Sequence, residues 1–346
     1  MNLFNLEVKE KSIHPNFSKL LNDKDLQDVI NRWSFGFIDR DNKFIKEFQT
    51  TFNSSFWELY LHACFTNLGY QLDYTHHAPD FLFTTRKGKN QILVEAVATK
   101  NAADGTPEHE LLKKLNEIFI NKNLERVQEE IVQLATERIT QSILSKHAMY
   151  QEKYTKLDHV KGKPFILAVG AFEQPLFFLQ GIGAIQQVCY GLTKAKYRNG
   201  QPQLEFDDHI LKKKNGAKLP IGLFNDNQYK EISGILFSSI ASVGKARALS
   251  LKKRKDIYFS TYTYNNYDTK GVSKVTPQTK YRESLLDGLN LYLNPYAEHP
   301  VDPDDFDNPD ITIYQNNNHA TLKHGTLFSR MVINQKTQEN DIMAML

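Results

Sequence analysis

Two short apolar runs, Phe81-Leu82-Phe83 and Ile92-Leu93-Val94, flank the polar, glycine-containing stretch Thr85-Arg86-Lys87-Gly88-Lys89-Asn90. Runs of this length around such a turn predict a β-hairpin. A hairpin constrains the chain strongly, because a slip of one residue would move every side chain to the other face. With Lys87-Gly88 at the centre of a two-residue turn, Asp80 stands opposite Glu95 on one face, Cβ atoms roughly 5 Å apart. Two carboxylates that close repel unless a cation lies between them.

A third carboxylate comes just before. Glu58 lies in Phe56-Trp57-Glu58-Leu59-Tyr60, on a helix predicted over residues 54–68 with Ser54 or Ser55 as its cap. Glu58 on a helix, Asp80 after Pro79 and Glu95 on a strand, converging, would make a site for a divalent cation. Such a site activates water against a phosphodiester. Taken singly, each residue has an ordinary explanation: Pro-Asp starts turns, and a lone strand glutamate faces water. The combination, in this order, carries the reading.

In these residues the chain resembles the PD-(D/E)XK nuclease superfamily, which has the restriction-endonuclease-like fold. The likeness rests on Glu58, on Pro79-Asp80 and on Glu95. The resemblance implies a core of helix, three strands, helix and strand. The chain offers a helix over 54–68, a strand over 70–74, the hairpin, a long helix ending near Tyr154, and the strand that Pro164 opens. That likeness covers residues 50–170. It implies that Asp80 and Glu95 hold Mg²⁺, or alternatively Mn²⁺, with the backbone carbonyl of Ala96. Glu58 would serve a second metal or orient a metal-bound water. The chain departs from the family pattern at one position: a lysine is expected two residues after the strand glutamate, and Val97 stands there. The family is known to relocate this lysine, and some members lose it together with activity. Lys100 and Lys146 are the two candidate replacements. Arg138, Ser142 and Lys146 share one face of the long helix at i, i+4 and i+8, and Gln141 is a further polar candidate there. A solvated face is the ordinary alternative for Arg138 and Lys146.

At 346 residues the chain is long enough to bury a full core. A net charge of +3 gives no overall basic signal, so any nucleic-acid contact has to come from local patches. Lys252-Lys253-Arg254-Lys255 is one such patch, with Tyr258, Tyr262, Tyr264 and Tyr267 nearby for stacking. A solvated loop is the competing explanation. Cys64 and Cys189 have no metal-ligand spacing and read as buried thiols of a reducing compartment. No apolar run approaches the ~20 residues needed to span a bilayer, and the first residues lack a signal-peptide layout. The expected location is the cytoplasm, away from the membrane.

Elsewhere, residues 35–41 predict a short strand and residues 43–48 a second strand or a helix lead-in. His62 reads as a surface partner of Glu58; His76 and His77 read as exposed. Residues 101–123 are polar and helical in part, a segment that could lie over the site mouth. A helix is expected over 177–192, broken near Gly181 and Gly183, then an excursion over 193–225 and a strand over 232–239. Ser242-Val243-Gly244-Lys245 could start an anion-binding helix. The run Asp302, Asp304, Asp305, Asp307 and Asp310 lacks EF-hand spacing and reads as a turn.

The expected fold is α/β: a mixed central sheet flanked by helices, one nuclease-like domain over 1–346. Its core would span 50–192, with an N-terminal addition (1–49) and a C-terminal extension (193–346). The expected function is a metal-dependent endonuclease acting on DNA ahead of RNA, with restriction or phage defence as a plausible setting and a homodimer or protein partner allowed. Two rivals stand beside it. One is an inactive nuclease fold that binds nucleic acid or a protein; the other is an interaction protein whose acidic residues do not converge.

Overall fold

Residues 165–169 show why the molecule is layered. Ile166 and Ala168 enter one apolar core, while Phe165, Leu167 and Val169 enter a second. A strand buried on both faces belongs inside a sheet covered by helices on either side. The computed structural model of the chain describes residues 1–86, 88, 90–99, 124–172, 176–198, 201–212, 215–264, 271–315, 319–321 and 326–335. It is an α/β protein with a large mixed sheet between helical layers.

The chain opens with helices α1 (Pro15–Leu21), α2 (Lys24–Trp33), α3 (Phe44–Thr50) and the longer α4 (Phe52–Asn67). Strands β1 (Gln71–Asp73), β2 (Phe81–Thr84) and β3 (Gln91–Ala98) follow, then α5 (Leu124–Glu152) and β4 (Phe165–Gly170). A short α6 (Gly183–Tyr190) leads into two ribbons, β5 (Leu192–Arg198) with β6 (Gln201–Phe206), and β7 (His209–Leu211) with β8 (Lys218–Pro220). Then come β9 (Gly234–Ser238), α7 (Val243–Leu249), β10 (Ile257–Tyr264) and β11 (Val272–Pro277). The last described strands are β12 (Leu289–Leu293), β13 (Ile311–Gln315), β14 (His319–Thr321) and β15 (Thr326–Asn334).

The central sheet has the order β1-β2-β3-β4-β9-β12-β13-β14. Its β3–β4, β4–β9 and β12–β13 pairs are parallel, and the rest are antiparallel. Helices α1 to α4 cover one face, and α5 and α6 the other. Four of the eight strands come from beyond residue 192, so the sheet runs without a break into the C-terminal part. A separate antiparallel sheet has the order β11-β10-β15. Among the described residues no helix is long and apolar enough to cross a membrane.

Several local expectations change. Helix α4 starts two residues before the predicted 54, with Thr51 in the cap position, and Ser54 and Ser55 lie inside it. Residues 35–41 form no strand. Gly36 takes a φ of +80°, and the Asp39 carboxylate accepts the Lys43 and Phe44 N–H groups at 3.2 and 3.1 Å, steering the chain into α3. Residues 177–190 are a 3₁₀ turn (Phe177–Leu179), Gly181 with a φ of +52°, and then α6, and Leu192 opens β5.

Candidate active site

The hairpin has the register that the sequence predicts. Phe81 faces Val94, Leu82 faces Leu93, Phe83 faces Ile92 and Thr84 faces Gln91. Thr85 N–H donates to the Asn90 carbonyl at 3.0 Å, and Gly88 N–H to the Thr85 carbonyl at 2.8 Å. The loop is therefore longer than two residues, and Thr85 with Asn90 continues the pairing in the expected register. One step beyond the ladder, the Ala96 N–H donates to Asp80 Oδ2 at 2.7 Å. Alternation along β3 puts Glu95 on the same face as Leu93 and Val97, the face that α5 covers.

Glu95 is 3% exposed. A carboxylate this deep needs partners, and both its oxygens have one. Lys146 Nζ lies 2.6 Å from Oε1, and the Tyr154 hydroxyl donates to Oε2 at 2.9 Å. Lys146 arrives from α5 with its side chain 30% exposed, so it touches the carboxylate and solvent together. Burial and the Glu95 charge push the Tyr154 phenol well above its ordinary value, so it stays a protonated donor. Val97 packs into the core beside Leu93, and the cation near the strand glutamate comes from the neighbouring helix.

Asp80 and Glu58 share the other side of the site. Burial, then the charge of Glu95, lifts the Asp80 carboxyl to about 7, against the pull of Ala96 N–H, Lys146 and Arg40. Burial, then the charge of Asp80, lifts Glu58 to about 8. Both residues line a cavity of about 200 Å³ with Phe37, Asp39, Arg40 and Glu47.

Two residues here escape the sequence reading. Tyr154 lies eight residues after Lys146, past the end of α5, in the 3₁₀ turn Tyr154–Lys156. Arg40 comes from before the hairpin and carries no local signal. His62 is not a surface partner of Glu58. It is 2% exposed, with Nε2 at 3.0 Å from the Phe35 carbonyl and Nδ1 at 2.7 Å from the Tyr74 hydroxyl. The reason is that α4 lies between the sheet and the N-terminal helices and is buried on most sides. His77 is exposed, whereas His76 is half-buried and stacks on His159 with ring centroids 3.7 Å apart.

Arg138 and Gln141 are half-buried on α5. Arg138 sits about 12 Å further along the helix axis than Lys146. Lys100, Tyr267 and the 101–123 segment lie outside the described residues. The basic cluster engages its own protein in part. Arg254 pairs with Asp256 at 2.7 Å, Lys253 Nζ donates to the Ala248 carbonyl at 3.0 Å, Lys252 lies 3.7 Å from Asp25, and Lys255 is exposed. Lys245 offers nothing to an anion, because it is fully buried and paired with Glu283. The acidic C-terminal run is a capped 3₁₀ turn, Pro303–Phe306. Burial pushes the Cys64 thiol up to about 12 and Cys189 well above its ordinary value, so neither is a poised nucleophile.

Among the described residues no group of three His, Cys, Asp or Glu side chains is set to hold a metal ion. The donors fit a hard divalent cation in kind: the Asp80 and Glu95 carboxylates come from the two arms of one hairpin, and burial and the Glu95 charge raise Asp80. No protein-family model, curated protein or solved structure matches the chain.

Proposed function

We propose that the protein is a metal-dependent phosphodiesterase acting on nucleic acid, DNA first. The observation that carries this is the Lys146 ammonium 2.6 Å from Glu95, on a strand whose hairpin partner brings in Asp80. A carboxylate pair with an adjoining ammonium is the set that hydrolysis of a phosphodiester calls for. Asp80, Glu95 and the Ala96 carbonyl are the groups that would hold Mg²⁺ or Mn²⁺, and Glu58 would serve a second ion or its water. When bound, such an ion lowers the pKa of a water and neutralises charge on the phosphoryl oxygens. The chain supplies the rest. Tyr154 fixes the Glu95 carboxylate, and the half-exposed Lys146 offers positive charge where a phosphate would approach.

A second reading has its own support. Lys146, Tyr154 and Ala96 N–H already satisfy Glu95 and Asp80 without a cation. That is what an inactive nuclease fold acting as a nucleic-acid or protein-binding module would need. A cleavage assay separates the two, using supercoiled plasmid, linear duplex, single-stranded DNA and RNA, each with Mg²⁺, Mn²⁺ or EDTA. Cleavage in the metal arms and none in EDTA is the expected result. Retention of nucleic acid without cleavage in any arm supports the binding module.

A further inference from the structure

We propose that Arg40 is a positioning residue of the candidate site: its guanidinium fixes residues 76–80 so that the Asp80 carboxylate meets β3 beside Glu95. The proposal rests on the functional reading above for its consequence in catalysis, but its geometry stands by itself.

Residues 74–80 lie between β1 and β2, outside any ladder, so their carbonyls need other partners. Arg40 supplies them. Its Nη1 donates to the His76 carbonyl and, at 3.4 Å, to that of Pro79; its Nη2 donates to the Asp80 carbonyl at 2.9 Å. One planar fork thus holds three carbonyls of five consecutive residues, with donors on two nitrogens set apart in a fixed geometry that a lysine's single nitrogen does not reproduce. The clamp is itself anchored, because Asp39 beside it caps α3 through two backbone N–H groups.

The far end of the clamped segment is the Asp80 side chain, whose Oδ2 takes the Ala96 N–H at 2.7 Å. Arg40 also lines the cavity that Glu58 and Asp80 share, with Asp39, Asp41 and Glu47. Among the described residues it makes no ion pair with any of them, so its charge faces the carboxylates without neutralising one outright. That charge opposes the upward shift of both Asp80 and Glu58. Lys146 and Glu95 act on Asp80 from α5 and β3, and Glu47 acts on Glu58 from α3. A residue outside the expected 50–192 core is therefore part of the site.

Amide hydrogen exchange in metal-free full-length protein tests this, because the Ala96 N–H reports where the Asp80 carboxylate sits. Arg40→Gln should speed exchange at Ala96 roughly tenfold or more, while Ala168 in β4 exchanges at its wild-type rate. Arg40→Lys should fall between. An unchanged Ala96 in Arg40→Gln overturns the proposal. So does equal acceleration at Ala96 and Ala168, which would make Arg40 a general stabiliser. A parallel cleavage assay keeps the two readings apart. If Ala96 responds but the wild type cleaves nothing, the clamp stands and the phosphodiesterase reading falls. If the wild type cleaves and Ala96 does not respond, the clamp falls alone.

Discussion

Asp80 and Glu58 set the pH behaviour of the metal-free protein. Unfolded, they ionise at about 3.9 and 4.3; folded, at about 7 and about 8. Both folded values are raised. Between those limits the folded chain holds protons that the unfolded chain has released, so their contribution to stability falls as pH rises from about 4 to about 8. Metal-free protein should be more stable at pH 5 than at pH 8 by several kcal/mol, up to about 6 for the two groups together. Asp80→Asn should flatten that slope, as read from urea midpoints at the two pH values. A wild-type midpoint that rises over this range would contradict the assignment. Mg²⁺ or Mn²⁺ should restore stability at pH 8 more than at pH 5, since protons and the cation compete for the same oxygens. Lys146 pairs with Glu95 and also reaches solvent. Lys146→Ala should slow cleavage by about 10²–10⁴-fold, and more than Lys100→Ala does. Initial rates for the two purified variants decide it, and a dead Lys100→Ala beside a near-normal Lys146→Ala would reverse the placement.

Helix α4 ties Glu58 to the sheet through close packing. Trp57 Nε1 donates to the Ala168 carbonyl at 2.9 Å. Gly170, two residues on, leaves no room for a side chain: a Cβ there would lie 2.6 Å from the Phe172 ring and 2.9 Å from the Trp57 ring. Gly170→Ala should cost about 1–3 kcal/mol in chemical denaturation and should also lower activity, because Trp57 precedes Glu58 on the helix. Full activity at wild-type stability would show that α4 and the sheet yield freely. At this scale the hairpin was legible because its register depends on alternation and on the polar turn between its two apolar runs. The surface assignment of His62 failed for a non-local reason. A helix packed on two sides looks, in sequence, like an amphipathic helix with a wide stripe, and the second layer comes from α1 to α3.

Across the whole molecule, the α/β class and the order of helix, hairpin, long helix and strand were readable because each element carries its own periodicity. The pairing of β4 with β9, and the run onward through β12 and β13, was not readable. Those contacts join segments tens of residues apart, and no local signal names a strand's partner. Arg40 was hidden for the same reason: its value lies in three carbonyls some 36 to 40 positions away. In Lys252-Lys253-Arg254-Lys255, a strong local signal, Lys253 and Arg254 engage groups of the same chain while Lys252 and Lys255 stay exposed. We propose that Asp80 and Glu95 form the centre of a cation-dependent phosphodiesterase. The most direct measurement is plasmid cleavage in Mn²⁺ by wild type, Asp80→Asn and Glu95→Gln, each shown to be folded by its melting transition. Wild type should cleave, and each variant should lose at least about 10³-fold, with Asp80→Asn no less stable than wild type in EDTA. Wild-type rates in either folded variant would contradict it.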